Sequence, residues 1–199
     1  SGYSILGILQ RDLGFLVAAK NSLLKAIDLD PNDYSDYINL SAIYIDLGDI
    51  DNAEKIIRKS ININSESPDS HINLASIFRD SGRIKEAKDS LETAINLKSN
   101  YAIAYYSLSI LSGFSLNRKI YKYLFSDDIL IGQSSLGLAH LYYARSNIKH
   151  KESKYKESST YLTKANKYKS SIYKSESHSF IEKSNKLRKE LSEINNIRR

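Results

Sequence analysis

Apolar residues recur at helical spacing through the first hundred positions, and the spacing itself repeats. The segment DYINLSAIYIDLGDIDNAEKIIRKSININ aligns with SHINLASIFRDSGRIKEAKDSLETAINLK at a constant offset of 34. Leu40 falls on Leu74, Gly48 on Gly82, Ala53 on Ala87 and Ile61 on Ile95. Carried backwards, the same columns hold Leu6, Gly14, Ala19 and Ile27. Carried forwards, Leu108 still fits, but the glycine column reads Leu116. Such a period predicts a helical solenoid built from pairs of helices. First helices are expected near 3–13, 34–47 and 68–81, and second helices near 16–28, 50–62 and 84–96.

The chemistry of the columns supports that reading. Gly14, Gly48 and Gly82 stand where a first helix ends in a left-handed residue, which glycine adopts at little cost. Ala19, Ala53 and Ala87 are small where two helix backbones pass close. Leu6, Leu40 and Leu74 are followed four residues on by Gln10, Tyr44 and Phe78, an apolar stripe in two of three repeats. Pro31 and Pro68 lie between repeats, where a helix can start on proline. Tyr3, Ile5, Leu6 and Leu9 look uncapped at the N-terminal end of the array.

After Asn100 the pattern loosens. Residues 102–113 still read as a first helix, with Tyr105 and Leu108 in column. RKIYKYLFSDDIL is helical in pattern without the glycine and alanine columns, and 133–150 is a long helix candidate. Residues 176–197 form a lysine-rich helix candidate with Phe180, Leu187, Leu191 and Ile194 on one stripe, which would cap the array or lead to a following domain.

A period of 34 with these columns resembles the tetratricopeptide repeat. The resemblance implies an all-α fold: a right-handed superhelical solenoid of antiparallel helix pairs, with a divergent helical C-terminal half. Three repeats fall at about 1–33, 34–67 and 68–101. Degenerate connector helices follow over 101–132, a divergent helix pair over 133–175 and a basic terminal helix over 176–199. Residues 154–169 resemble a second helix of this family, with Ser158, Leu162 and Ala165 at the small, large and small places.

The family turns its first helices towards a concave face that holds extended peptides, so the columns on those helices are the candidate site. One column reads Ile5, Asn39, Asn73 and Ser107. An asparagine offers one acceptor and two donors and can hold a peptide backbone without reading its sequence. Its spacing resembles the ladder in the repeats of the O-linked N-acetylglucosamine transferase. The alternative is that Asn39 and Asn73 bridge neighbouring helices. A second column reads Asp12, Asp46 and Asp80, with Arg11 and Arg79 beside it. These carboxylates either grip a ligand or cap helix ends and sit in water, and the latter is favoured because each lies two residues before a glycine turn. The clamp that chaperone-binding members of the family use for a C-terminal carboxylate needs cations. Its places here hold Ser4, Ile38 and Ile72 in one column and Ile5, Asn39, Asn73 and Ser107 in the next, so that function is not expected.

Composition narrows the remaining classes. The chain has 199 residues, 41% of them hydrophobic, enough to bury a core. With no cysteine, disulfides, thiolate metal sites and cysteine nucleophiles are excluded, and a cytoplasmic location is expected. Methionine is absent even at position 1, which suggests a piece of a longer protein. The net charge of +6 conceals an asymmetry. Residues 1–100 hold 11 basic against 15 acidic side chains, a net of −4, and residues 101–199 hold 18 against 8, a net of +10. The four histidines, His71, His140, His150 and His178, are scattered, and no zinc spacing or phosphate-binding glycine loop occurs. No cofactor, metal or catalytic constellation is expected, and the chain reads as a non-enzymatic scaffold for protein partners. No apolar run is long enough to span a membrane. Lysines and tyrosines interleave from Lys149 to Lys174, which raises nucleic acid as a partner. The stronger reading is an amphipathic stripe of Tyr155, Leu162 and Ala165 with a solvated lysine face.

The C-terminal half carries a second resemblance. YLFSDDIL, then LAHLYYARSNIKHKESKYKESSTYLTKANKYKSS, is similar to the connector between tetratricopeptide arrays and a sulfotransferase domain in certain bacterial proteins. It covers about residues 100–175. It implies the alternative of a substrate-docking region whose catalytic domain would lie beyond Arg199.

Overall fold

The computed structural model describes residues 1–111 and 116–173. Six helices pair in sequence: α1 (Gly2–Asp12) with α2 (Leu16–Leu29), α3 (Tyr34–Asp46) with α4 (Ile50–Ile63), and α5 (Pro68–Asp80) with α6 (Ile84–Leu97). Then come α7 (Ala102–Ile110), α8 (Arg118–Leu124), a single 3-10 turn at Asp128–Leu130 and α9 (Ser135–Lys151). Residues 155–173 are helical and are labelled α10. Every described element is a helix or a turn, and the first six bounds fall within two residues of those expected from the period. The proposed terminal helix over 176–197 lies outside the described residues. The chain divides into two compact units, Ser1–Leu116 and Asn117–Arg199.

In the first unit the columns do what their chemistry requires. Gly14, Gly48 and Gly82 have φ of 81°, 75° and 72°, the left-handed region. At each turn the glycine N–H and the next N–H close back onto the helix. Gly48 N donates to Ile45 O at 2.9 Å and Asp49 N to Tyr44 O at 2.9 Å. Second helices start on a reset chain, and α4 is capped by Asp49, whose side chain accepts from Asn52 N. Pro68 occupies the first turn of α5 behind the Ser67 cap. Pro31 instead stands in the turn before α3, which is capped by Asp33.

Ala19, Ala53 and Ala87 are fully buried, as close backbone approach demands. Ala19 and Leu23 of α2 form one cluster with Leu40 and Ile43 of α3, so each later first helix packs on the second helix before it. Leu40 and Leu74 are accordingly 0% and 6% exposed, whereas Leu6 of α1 is 42% exposed. Each fully buried leucine contributes on the order of 2 kcal/mol through area removed from water.

A further column was not evident from sequence. The Tyr37 hydroxyl donates to Pro31 O at 3.1 Å and the Tyr105 hydroxyl to Ser99 O at 2.7 Å. His71 Nε2, between them in the column, lies 3.2 Å from Ser65 O. All three tie the start of a first helix to the loop six residues earlier, which gives His71 a structural place.

Two expectations need correction. The helix expected over 102–113 ends at Ile110, and Leu111 is extended with φ −63° and ψ 144°. The inward stripe of α10 is Ser158, Tyr161, Ala165 and Tyr168, while Tyr155 and Leu162 are 62% and 44% exposed. The reason is close packing on α9. The Ser146 hydroxyl donates to Ser158 O and the Ser158 hydroxyl to Ser146 O, both at 3.0 Å, so the two backbones meet at Ser158 and rotate the helix about that point.

Candidate functional site

Asn39 and Asn73 sit one repeat apart on α3 and α5, each half-buried. Neither makes a side-chain hydrogen bond among the described residues, so neither acts as the interhelical bridge that was the alternative reading. Ser107 takes the same place on α7.

Asp12, Asp46 and Asp80 are the last residues of α1, α3 and α5. The helix dipole places partial negative charge there, so a carboxylate is disfavoured unless a cation offsets it. For two of the three the cation is present. Arg11 Nε donates to Asp46 Oδ2 at 2.6 Å, joining the first and second repeats. Arg79 Nε donates to Asp80 Oδ1 at 2.9 Å, and its Nη2 to Ser76 Oγ at 3.0 Å. The aspartates therefore do not cap helix ends. Asp12 is exposed and has no partner among the described residues.

A small cleft of about 30 Å³ opens between α5, α6 and α7. Ile72, Ala75 and Leu91 line its apolar part together with Leu111, and Ser76, Arg79 and Ser107 supply its polar groups. It brings together two of the expected site residues: Arg79, nearly two turns beyond Asn73 on α5, and Ser107, one repeat beyond it on α7.

Elsewhere in the first unit, Arg83 links repeats through the second helices. Its Nη1 donates to Glu54 at 2.7 Å, its Nε and Nη2 to Glu86 at 2.7 and 2.6 Å, and its guanidinium lies 4.2 Å from the centroid of Phe78. The hydrogen bond from Arg83 holds the Glu86 carboxyl below the usual carboxylate range. The signal in the sequence was the pair Arg83 and Glu86 at i,i+3, next to Glu54 and Arg58 at i,i+4.

The second unit contains a cluster the sequence reading missed. Arg145 is 4% exposed and Lys149 is 7% exposed, both on α9. Arg145 Nε donates to Leu124 O at 2.7 Å and Nη2 to Ser126 O at 2.6 Å, satisfying the end of α8. Its guanidinium lies 5.4 to 5.9 Å from the rings of Tyr142, Tyr161 and Phe125. Lys149 Nζ donates to the Tyr121 hydroxyl at 2.8 Å and to Glu152 at 3.1 Å, and lies 4.4 Å from the Phe125 ring. Burial works to lower the Lys149 ammonium, but the hydrogen bonds to Tyr121 and Glu152 outweigh it and the net shift is upward. For Arg145 burial prevails and the shift is downward. Tyr142 stacks on Tyr168 with ring centroids 5.7 Å apart. Lys149 is thus taken up inside the unit, while Tyr161 and Tyr168 are half-buried. His140 is half-buried, and burial, reinforced by Lys169, holds its imidazole below the usual value.

Among the described residues no group of three or more acidic or histidine side chains is placed to hold a metal, and no helix is long and apolar enough to cross a membrane.

The sequence profile of the tetratricopeptide repeat matches residues 37–67 and 68–101. No curated protein matches the chain. Among solved structures, the crystal structure of MamA is similar over 84% of this chain and 96% of that chain, at 21% identity and a TM-score of 0.53. The first tetratricopeptide domain of Spaghetti (RPAP3), solved with the HSP90 peptide SRMEEVD, is similar over 62% of this chain and 91% of that one, at 21% identity and a TM-score of 0.51. An O-GlcNAc transferase of Thermobaculum terrenum is similar over 75% of this chain and 25% of its own length, at 13% identity and a TM-score of 0.53. At these identities the likeness is one of fold.

Proposed function

We propose that this all-helical chain, which carries tetratricopeptide repeats, is a non-catalytic scaffold that holds an extended, uncharged peptide segment of a protein partner along its first helices. The observation that carries the reading is the pair Asn39 and Asn73. They repeat at the spacing of the array, are partly exposed, and make no side-chain hydrogen bond among the described residues. An amide with both donor and acceptor unused matches the alternating N–H and C=O of an extended backbone. The cleft beside Asn73 supports the same location.

Charge argues for a neutral segment. The MamA-like and Spaghetti-like folds are shared, but the peptide bound to Spaghetti ends in acidic residues, and here the corresponding columns hold Ser4, Ile38, Ile72 and the asparagines. Arg11 and Arg79 are each engaged by an aspartate. No feature of the described residues adds to the sulfotransferase alternative.

The test is selection of displayed random heptapeptides on the full chain, followed by affinity measurements on a selected peptide. The double variant Asn39→Ala with Asn73→Ala removes two hydrogen-bonding amides, each worth roughly 1 kcal/mol, and should weaken binding about tenfold or more while helicity is unchanged. An unaltered dissociation constant would count against the groove.

A further inference from the structure

The cleft at α5–α7 differs from the place one repeat earlier at each of its three polar residues, Ser76 standing where that repeat has Ala42. Ser107 stands where the previous repeat has Asn73, and Arg79 stands where it has Ile45. The shorter serine leaves room that the asparagine of the column would occupy. Arg79 is turned to the rim by two bonds, one to Asp80 and one to Ser76 Oγ. Its Nη1 carries no hydrogen bond among the described residues, so donors remain for one more oxygen. That oxygen is best neutral, because Asp80 already supplies the compensating carboxylate.

We propose that this cleft is a selectivity subsite: it takes one small aliphatic side chain of the bound peptide, valine or alanine, while Arg79 donates to a peptide carbonyl beside it. The inference rests on the groove reading above and deepens it. Size sets the class of side chain. About 30 Å³ exceeds by a small factor the roughly 10–15 Å³ that a single water needs on the same measure. The enclosed part has room for two or three heavy atoms, fewer than the six of an aromatic ring. The apolar lining of Ile72, Ala75, Leu91 and Leu111 favours methyl groups over hydroxyls. The asparagines then read backbone without regard to sequence, and this one junction reads a side chain.

The experiment uses heptapeptides selected on the full chain. Enrichment of valine or alanine at one fixed position, with neutral neighbours, is expected. For a selected peptide, valine at that position should bind about tenfold more tightly than glycine, and phenylalanine should bind no better than glycine. Ser107→Asn, which restores the residue of the column, should reduce the valine-to-glycine ratio to about one. Ser107→Ala keeps the space and should preserve the ratio, so a loss of folding in one variant does not decide the matter. Enrichment of aromatic residues or of an acidic C-terminus, or a ratio that survives Ser107→Asn, would overturn the subsite. Selected peptides that depend on Asn39 and Asn73 but ignore the side chain at that position would sink the subsite and leave the groove standing. If no heptapeptide is enriched, or the asparagines are irrelevant, both fall together.

Discussion

The α5–α6 pair and the α9–α10 pair close on the same turn and are filled with opposite chemistry. Gly82 N donates to Arg79 O, and Arg83 N to Phe78 O. Ser153 N donates to His150 O, and Lys154 N to Lys149 O, the same pattern at the end of α9. Counted back from the turn, Leu74 corresponds to Arg145 and Phe78 to Lys149. Counted forward, Ala87 corresponds to Ser158 and Ala94 to Ala165, all four of them buried. The backbone device is kept. The large apolar stripe of the first helix has become two cations enclosed by Tyr121, Phe125, Tyr142 and Tyr161. A helix pair of this kind thus needs a left-handed turn and small residues at the crossing. What fills the large places is open, provided every buried polar group finds a partner.

Exchanging the large residues between the two pairs is the strongest way to break this comparison. Leu74→Arg buries a guanidinium where no carbonyl pair and no ring cage await it. It should cost about 4 kcal/mol or more and raise hydrogen exchange throughout α5 and α6. Arg145→Leu gives the second unit the residue of the repeat column but leaves Leu124 O and Ser126 O without their charged donor. It should cost about 3 kcal/mol, read as faster exchange in α8 and α9. If Arg145→Leu stabilised the second unit, the cation would be dispensable and the pair would be an ordinary repeat after all.

Lys149→Met gives a smaller effect with a pH signature. Burial alone would raise the Glu152 carboxyl, but hydrogen bonds from Lys149, Tyr121 and Lys154 outweigh it and hold it below the ordinary value. A carboxylate lowered by folding contributes stability above its unfolded pKa, and that contribution is lost as the pH falls through the folded pKa. The second unit should therefore weaken below the ordinary carboxylate range. Lys149→Met should cost about 1–2 kcal/mol at neutral pH and flatten that acid limb. Denaturation midpoints measured at neutral pH and at pH 3 would show it, and an acid limb of undiminished slope would contradict the role given to Lys149.

The first unit was readable because its constraints are periodic. Each glycine, alanine and leucine is required by backbone geometry or by a neighbouring helix, and the same requirement recurs at the same interval. The second unit kept the geometry and lost the residues that signal it. Ser153 stands in place of the marker glycine, Lys149 read as part of a solvated lysine face when it is interior, and nothing in the pattern marked Arg145 as buried. Partners such as Leu124 O lie about twenty residues away and are backbone atoms, which no side-chain pattern reveals. The register of α10 failed for a related reason. Leu162 fits the column of the buried Leu23, Ile57 and Leu91, but the contact that orients the helix is the serine pair Ser146 and Ser158. In the candidate groove, the positions of Asn39, Asn73 and Ser107 were legible as a column. The pairing of Arg11 with Asp46 across repeats was not, because adjacency on a helix gave no hint of which carboxylate each arginine would reach.

The turn itself offers the finest test, because it isolates one variable. Ser153 has φ 60°, and the three glycines have φ between 72° and 81°. An L-residue pays roughly 1 kcal/mol to hold that conformation, against little for glycine. At Gly82 a Cβ would meet nothing within 4 Å, so a substitution there changes conformational preference without a clash. Ser153→Gly should therefore stabilise the second unit, and Gly82→Ser should weaken the first, each by about 1 kcal/mol. Hydrogen exchange resolves the two units separately, and a change of about fivefold in opposite directions is expected in α9 and α5. Equal and opposite shifts would mean that one backbone device serves both pairs. A Ser153→Gly variant no more stable than the parent would mean that the serine side chain offsets its own strain, and that the last turn is a different solution from the other three.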